Sequence, residues 1–384
     1  MSFKYFYAIT AAVFFLFSCK SLPETEKTEE PERLTLLFAG DIMAHRANYS
    51  MKNYSKIWKD IKPLVSGADF SFANIEAPVN KNLPFSPYPD FNMQPSYPEA
   101  AIDAGFNVFS LVNNHTNDKG LEGINETRKW GEKIEEDSKL SERPVYFCGI
   151  NKTPGEKISY KIIRKGNWKI LFVAVTEILN RPDYRSYLNY VVASKKNWEE
   201  FSEYLVQIRK ENPCDLMILS IHTDEPEYIL SAGQKRKSYY RSLISKGVDV
   251  IWSNHPHIVR EREFFGENET KLLKNAIIYG NGNTISGQRR EPDFKNPENP
   301  RDDTGDGMIL KIVFQKNSRQ ETSIEKIETH FITTYINTAW EFVIKFLDDD
   351  FIRYLEDISR TEWAEYIQAR KKITENIKET TIWQ

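Results

Sequence analysis

The feature that most constrains this fold is a repeated alternation of apolar runs with polar clusters. Six runs of strand length each end in residues that bind metals or form turns. They are Leu34–Ala39, Asp69–Ala73, Asn107–Val112, Leu216–Ile221, Val248–Trp252 and Ala276–Tyr279. Helical periodicity covers Tyr97–Ala104, Leu121–Ser138, Lys195–Glu211 and Gly233–Lys246. The alternation predicts an α/β fold whose largely parallel sheet is flanked by helices and binds ligands at the carboxyl ends of its strands.

Two further pairs of apolar runs have the pattern of antiparallel strands. Tyr160–Arg164 and Trp168–Thr176 are joined by a turn containing Gly166 and Asn167, which predicts a hairpin. Met308–Phe314 and Thr322–Thr334 add two more strands near the end of the sheet-forming region. We therefore expect antiparallel edges on the sheet.

The strongest local signal follows the fifth run, where His255, Pro256 and His257 stand in sequence. The proline fixes its own φ and favours an extended residue before it, so both imidazoles are held without a flexible loop. Two histidines at alternating positions suit ligands of neighbouring metals. A polar turn with hydrogen-bonded histidines is the competing interpretation of this pair alone.

The strand ends together supply carboxylate, amide and imidazole groups without a cysteine. The residues are Asp41, Glu76, Asn114, His115, His222, His255 and His257. Such a set suits divalent ions such as Mn, Fe or Zn. Two metals need one bridging carboxylate and separate terminal ligands, and this set contains both.

The chain resembles the CapA-type proteins of poly-γ-glutamate and capsule synthesis, which belong to the calcineurin-like metallophosphoesterase superfamily. The matching motifs run in family order over roughly residues 34–284. They are Gly40-Asp41-Ile42-Met43, Asn74-Ile75-Glu76, Asn113-Asn114-His115 with Asp118 and Gly120, His222 with a downstream Glu-Tyr, His255-Pro256-His257, and Gly282-Asn283. The resemblance implies the calcineurin-like fold, with mixed, largely parallel sheets flanked by helices.

The resemblance also implies a role for each of these residues. One metal would be held by Asp41, Glu76 and His257, and Glu76 would bridge to a second metal. That second metal would be held by Asn114, His222 and His255. His115 would act near the leaving group as a general acid or as a charge on the scissile oxygen, while the bridging water would be the nucleophile. Asp118 would orient His115, although its position also suits a helix N-cap.

The chain departs from the broader superfamily in two places. Met43 stands where those phosphoesterases have a histidine, as it does in the CapA-type branch, so one imidazole is missing from the first metal. His45 is either a substitute ligand or a polar loop residue. Residues 223–228 replace a tryptophan-glycine sequence of the family and are one residue longer. This longer segment changes the expected shape of the pocket.

The amino-terminal residues have the pattern of a targeting signal. Lys4 precedes the apolar run Tyr5–Phe17, which is too short to span a bilayer comfortably and ends at Cys19. This resembles a bacterial lipoprotein signal, in which the cysteine carries the lipid. An ordinary cleaved signal and an uncleaved anchor are the alternatives. Residues 19–33 then read as a disordered tether, rich in Glu, Thr, Lys and Pro.

The predicted organisation is a signal peptide at 1–18, a tether at 19–33, a CapA-like domain at 34–335 and a helical extension at 336–384. Within the domain, Glu291–Asp306 reads as an exposed loop, and Asp302–Gly307 reads as a solvated turn because it lacks the distal glutamate of a calcium loop. Cys148 and Cys214 adjoin apolar runs and are predicted to be buried free thiols, with a disulfide between them in an oxidising compartment as the alternative.

The composition carries no sign of a nucleic-acid partner, because 52 basic and 55 acidic residues give a net charge of −3 over 384 residues. The leading hypothesis is an exported lipoprotein of the cell envelope that acts on a surface polymer or phosphoester as a metal-dependent hydrolase, with capsule-assembly proteins as partners. A non-catalytic surface module that binds polymer or protein partners on the same fold is the alternative. A cytoplasmic phosphoesterase would require that the stretch up to Cys19 is not a signal.

Overall fold

Fifteen β-strands form one continuous sheet in the part of the chain described by the computed structural model, residues 1–2 and 32–384. The strands are β1 (Glu32–Ile42), β2 (Phe70–Ile75), β3 (Val108–Ser110), β4 (Tyr146–Cys148), β5 (Tyr160–Lys165), β6 (Trp168–Thr176), β7 (Leu216–His222), β8 (Val250–Asn254), β9 (Arg262–Gly266), β10 (Leu273–Ile278), β11 (Asn283–Ile285), β12 (Asp306–Lys316), β13 (Thr322–Ile336), β14 (Phe342–Phe346) and β15 (Glu379–Trp383). All six apolar runs predicted as strands are strands, so the mixed α/β fold class is confirmed.

The helices include the four that the sequence predicted between strands, together with three short ones between β1 and β2 that it did not. They are α1 (Arg46–Tyr49), α2 (Ser55–Trp58), α3 (Lys62–Ser66), α4 (Ser96–Ala104), α5 (Gly120–Ser138), α6 (Lys195–Glu211), α7 (Gln234–Ser245), α8 (Asp349–Asp357) and α9 (Thr361–Glu375). Short 3₁₀ helices cover Arg185–Tyr187 and Pro300–Gly305. None of the helices within the described residues is long and apolar enough to cross a membrane.

The predicted signal, the lipidation site Cys19 and nearly all of the tether lie outside the described residues. The tether was expected to reach Arg33, but β1 begins at Glu32, where the backbone pairs with Lys316 of β12. Residues 32–384 form one compact unit.

The sheet contains two largely parallel halves. The first half has the order β4-β3-β2-β1, and the second has the order β10-β8-β7-β6-β5 with β5 antiparallel at its edge. The antiparallel pair β12–β13 connects β1 to β10. The prediction that antiparallel strands lie at the edges is therefore right for β5 but wrong for β12 and β13, because the long β12–β13 hairpin pairs with a different half on each side.

The two halves face each other across a shared apolar core. The ring of Phe72 from β2 lies 5.4 Å from Phe172 of β6 and 6.0 Å from Trp252 of β8, centroid to centroid. Along β1, Leu36 and Phe38 enter this inner core, whereas neighbouring residues enter a second core beneath the helices. Burial on both faces explains the nearly continuous apolar runs of the strands.

Helices cover both outer faces, so the molecule has four layers in the order helix, sheet, sheet, helix. One outer core contains Trp58 of α2, Tyr97 of α4 and Leu355 of α8. The opposite outer core contains Leu205 of α6 and Leu243 of α7. Each large apolar side chain buried in these layers contributes about 1.5–3 kcal/mol.

The expectation of a helical extension after residue 336 is only partly right. Helices α8 and α9 are present, but β14 pairs with β13, and β15 pairs with β9. These strands extend the main sheet, so the carboxyl-terminal residues belong to the same unit as the rest. The sequence did not predict β14 because the apolar residues of Trp340–Leu355 recur with helical periodicity. A strand of five residues is too short to show the two-residue period of a β-strand.

The acidic segment Asp302–Gly307 is a buried ionic network rather than a solvated turn. Asp306 accepts hydrogen bonds from Nη1 of Arg289 at 2.8 Å and from Nε of Arg370 at 2.7 Å, and both arginines are about 1% exposed. The hydroxyl of Tyr366 donates to Asp302 at 2.7 Å. Arg370 and Tyr366 belong to α9, so the network fastens this helix to the body of the protein.

Candidate metal centre

The predicted metal-binding residues meet where the two halves of the sheet face each other. Asp41 is the penultimate residue of β1, and Glu76 follows β2 in the first half. His222 ends β7, and His255 and His257 follow β8 in the second half. All of them are at most 3% exposed. The carboxyl ends of parallel strands thus bring together residues that are far apart in sequence.

Two groups of these side chains have the spacing of metal ligands. Asp41, Glu76 and His257 place one ligand atom each within 4.8 Å of one another, and Glu76, His222 and His255 do the same. Glu76 belongs to both groups, which is the position of a bridging carboxylate. The structure therefore brings the residues together in the partition implied by the family resemblance.

The environment of Glu76 fits bound cations. Both carboxylate oxygens are buried without a hydrogen-bond partner. Burial, and then the nearby Asp41 carboxylate, raise the pKa of Glu76 well above its usual range. The Nδ1 atom of His255 is also buried and unpaired. Orphaned acceptors of this kind are costly unless a cation or a proton satisfies them, so the residues fit a metal centre.

Asn114 lies beside the second group, as expected. Its Oδ1 atom is 2.9 Å from Nε2 of His222, and the same nitrogen is 3.9 Å from Oε1 of Glu76. The Nδ2 group of Asn114 donates to Asn180 at 3.3 Å. That bond turns the amide oxygen of Asn114 towards His222, so Asn114 can serve as an oxygen ligand there.

His255 does not adopt the extended conformation predicted for a residue before proline. Its φ is 92°, which costs a residue with a side chain about 1–3 kcal/mol. The backbone N–H of His255 donates to Oδ2 of Asp41 at 3.4 Å, and its ring lies 4.9 Å from that of His222. Contacts within the centre therefore override the local preference of the chain.

Asp41 is held by a close approach of two backbone segments. Its carboxylate accepts a 2.8 Å hydrogen bond from Asn74, and its N–H donates to the carbonyl oxygen of Gly282 at 3.2 Å. A Cβ atom on Gly40 would lie 1.8 Å from that same carbonyl oxygen. Only glycine fits at position 40, so the Gly-Asp motif has a steric origin.

His257 is oriented by Asn283, whose role the sequence did not reveal. The Nδ2 group of Asn283 donates to Gln288 at 2.8 Å and to the carbonyl oxygen of Thr304 at 2.9 Å. Its Oδ1 atom, 3.0 Å from Nδ1 of His257, therefore accepts a hydrogen bond from the Nδ1–H group of that ring. The Nε2 atom of His257 then faces Glu76 at 3.8 Å with its lone pair free for a metal.

His115 and Asp118 form a buried pair at the edge of the centre. Nδ1 of His115 lies 2.7 Å from Oδ2 of Asp118, which also accepts a 2.8 Å hydrogen bond from the N–H of Phe91. The N-cap of α5 is Lys119, so Asp118 does not cap this helix. Asn180 approaches the His115 ring at 3.1 Å, and no sequence signal pointed to that contact.

A cleft of about 790 Å³ opens beside the centre. Its lining residues include Met43, His45, Tyr88, His115, Glu227, Tyr228, His257, Gln288, Arg290 and Arg301. The segment 223–228 supplies one wall, and Arg236 holds its first part through an ion pair with Asp224. The departure of this segment from the family pattern thus falls on the cleft, whereas the candidate ligands are unaffected.

The fold and the site define an α/β protein with a candidate two-metal centre at the carboxyl ends of its strands. A model of the family "Bacterial capsule synthesis protein PGA_cap" matches residues 35–288, and the chain belongs to this family.

Two curated proteins are similar to this chain. It is 23% identical over 282 residues to the capsule biosynthesis protein CapA of Bacillus anthracis. The aligned region covers 68% of this chain and 62% of that protein. It is 22% identical over 333 residues to the PGA biosynthesis protein CapA of Bacillus subtilis (strain 168). The aligned region covers 83% of this chain and 78% of that protein. The chain thus spans about three fifths of the length of the Bacillus anthracis relative.

Similar solved structures include the calcineurin-like phosphoesterase YfkN from Bacillus subtilis, with a TM-score of 0.44 and 13% identity over 88% of this chain and 99% of that one. A structure titled as a putative 5'-nucleotidase from Staphylococcus aureus has a TM-score of 0.44 and 12% identity over 78% of this chain and 54% of that one.

Proposed function

We propose that this chain takes part in making, attaching or trimming a surface polymer of the poly-γ-glutamate type, as a metal-dependent hydrolase. One observation carries the catalytic part of the proposal. The carboxylate of Glu76 is buried without a hydrogen-bond partner and is shared by two groups of ligand-like side chains. Membership of the capsule synthesis family supports the polymer as the substrate.

Each predicted residue then has a separate task. Divalent ions held by Asp41, Glu76, Asn114, His222, His255 and His257 would supply Lewis-acid stabilisation and a lowered pKa for water. Asn283 keeps His257 in the tautomer that leaves Nε2 free. Asp118 holds Nδ1 of His115. The opposite edge of that ring can then deliver a proton to the leaving group in the cleft.

Metal content and hydrolysis test the catalytic proposal together. Elemental mass spectrometry of the chain reloaded with Mn or Zn should find about two metals per chain. Glu76→Gln should lose both, whereas Glu325→Gln, an exposed ion-pair partner of Arg33, should keep both. His115→Gln should keep the metals and lower turnover of γ-glutamyl polymers or phosphoesters by about 10²–10⁴-fold. Absence of metal from the parent chain would refute the hydrolase.

Export and lipid anchoring complete the proposal and rest on the sequence around Cys19. Palmitate labelling followed by membrane fractionation compares the parent with Cys19→Ala. We expect label and membrane association in the parent and neither in the variant. Unlabelled parent protein in the cytoplasmic fraction would contradict this part and favour a cytoplasmic phosphoesterase.

The second candidate is a surface module that binds polymer or protein partners without catalysis. Buried Met43, which stands where related phosphoesterases have a histidine, favours it because the group around Asp41 has no second imidazole. This candidate predicts that the polymer binds and that His115→Gln changes neither binding nor the polymer. Hydrolysis that depends on His115 decides against it.

A further inference from the structure

His45 lies in the cleft beside the candidate metal centre and has no role in the function proposed above. It immediately precedes α1 and is half-buried, with its ring 5.1 Å from Phe91 in an edge-to-face contact. The same cleft is lined by His115 and His257. His45 is therefore placed where a substrate of the centre would pass.

A single backbone contact fixes the tautomer of His45. The N–H of Gly287 points at Nδ1 of His45 with a nitrogen-to-nitrogen distance of 3.2 Å. A backbone N–H can only donate, so Nδ1 carries the lone pair and Nε2 carries the proton of the neutral ring. Burial, followed by the nearby His257 and His115, lowers the pKa of His45 to about 3, which keeps the ring neutral at ordinary pH.

This tautomer argues against His45 as a substitute for the imidazole missing at Met43. A histidine binds metal through an unprotonated nitrogen, and the only one in His45 is occupied by Gly287. Neither group of ligand-like side chains contains His45. The Nε2–H group has no acceptor within residues 32–384 and is free to meet a ligand in the cleft.

The charges around the cleft indicate what that ligand carries. The lining contains two cations, Arg290 and Arg301, and one carboxylate, Glu227. Both arginines are exposed, and Arg290 also pairs with Glu291 at 3.4 Å. Guanidinium groups pair with carboxylate and phosphoryl oxygens, and a neutral N–H donor can hydrogen-bond the same oxygens. A donor that shares the cleft with His115, His257 and two arginines forms a subsite for an anionic oxygen.

We propose that His45 is a substrate-binding residue whose Nε2–H donates a hydrogen bond to an anionic oxygen of the ligand beside the metal centre. The inference rests on the proposed function only in naming that ligand as the substrate. The anion subsite itself follows from the bond to Gly287 and from the cleft lining.

Two substitutions distinguish the role of Nδ1 of His45 from that of Nε2. In His45→Asn the amide oxygen takes the place of Nδ1, so the bond from Gly287 is kept and the donor in the cleft is lost. In His45→Gln the amide nitrogen reaches the place of Nε2, so the donor is kept. Inorganic phosphate is the probe, titrated calorimetrically into the full chain with and without Zn.

We expect His45→Asn to bind phosphate about 10-fold more weakly than the parent, as for the loss of one hydrogen bond to a charged group. His45→Gln should stay within about 3-fold of the parent, and both variants should melt near the parent temperature. Equal affinity in His45→Asn and the parent, or no saturable phosphate binding by the parent, would overturn the proposal.

The tautomer is tested independently of both metal and turnover. Imidazole ¹⁵N chemical shifts of the metal-free chain, assigned by comparison with His45→Gln, should show Nε2–H for His45 at pH 7. A proton on Nδ1 would overturn the inference. A parent chain that binds no metal but shows Nε2–H and His45-dependent phosphate binding would refute the hydrolase and leave the anion subsite in place.

Discussion

The indole nitrogen of Trp252 donates a 2.8 Å hydrogen bond to the carbonyl oxygen of Ala39. Trp252 belongs to β8 in one half of the sheet, and Ala39 belongs to β1 in the other. Asp41 follows Ala39 closely, and His255 follows Trp252 closely. The bond therefore sets the separation of two strands that carry ligands to the candidate centre.

Trp252→Phe should loosen that separation while keeping an aromatic ring against Phe38 and Phe72. The loss leaves a buried carbonyl without its partner and should cost about 1–3 kcal/mol in the free energy of unfolding. Denaturant titration measures this cost, and metal titration measures the effect on the centre. Trp130→Phe also loses an indole hydrogen bond, to Glu99, and should bind metal like the parent. Equal metal affinity in both variants would contradict the expected link.

Asn283→Leu should weaken the metal held by the group that contains His257. Without the amide oxygen, His257 loses the acceptor that fixes its tautomer, and loss of such a partner lowers metal affinity about 10–100-fold. At a low concentration of free Zn, the number of bound Zn ions should then fall from two towards one per chain. Asn275→Leu, in the same region of sequence on β10, serves as the control and should keep two. Loss of both metals would show that Asn283 supports the whole centre.

Arg370→Met should destabilise the protein because it leaves the buried carboxylate of Asp306 with a single cationic partner, Arg289. Breaking a buried ion pair costs about 3–5 kcal/mol. Thermal unfolding followed by circular dichroism should show a clearly lower Tm. Lys371 lies on the same helix as Arg370 and pairs with the exposed carboxylate of Asp349 on α8, so Lys371→Met should leave the Tm unchanged. A normal Tm for Arg370→Met would mean that α9 is held by its apolar face alone.

Cys148 should resist alkylation throughout the pH range in which the fold survives. Burial raises the pKa of its thiol to about 12, and the thiolate is the reactive form. Its reactivity should therefore increase with pH but remain very low at pH 10, whereas half-buried Cys214 should react first. Peptide mapping after iodoacetamide treatment of a Cys19→Ala chain measures both. Rapid labelling of Cys148 at pH 8 would contradict its burial.

The sequence was sufficient to predict which residues gather at the strand ends. Apolar runs followed by Asp41, Glu76, His222 or His255 marked strand ends directly, and the motifs linked those ends to one family. The structure places these residues in two groups with a shared carboxylate. This part was predictable because each signal lies within a few residues of its strand.

The contacts that the sequence did not reveal join segments far apart in the chain. The amide of Asn283 reaches His257 and Thr304, and the carboxylate of Asp306 reaches Arg370 across more than sixty residues. Periodicity contains no information about such partners, so Asp302–Gly307 looked like a solvated turn. Short strands such as β14 were missed because their pairing with β13, rather than their own pattern, makes them strands.

The division of the centre between the two halves of the sheet has a consequence for biogenesis. A growing chain completes both carboxylate residues, Asp41 and Glu76, long before it contains His222, His255 or His257. Neither group of ligands exists until β8 has docked against β1. The compartment in which the chain finishes folding, rather than the one in which it is translated, therefore determines which metal ions the centre can acquire.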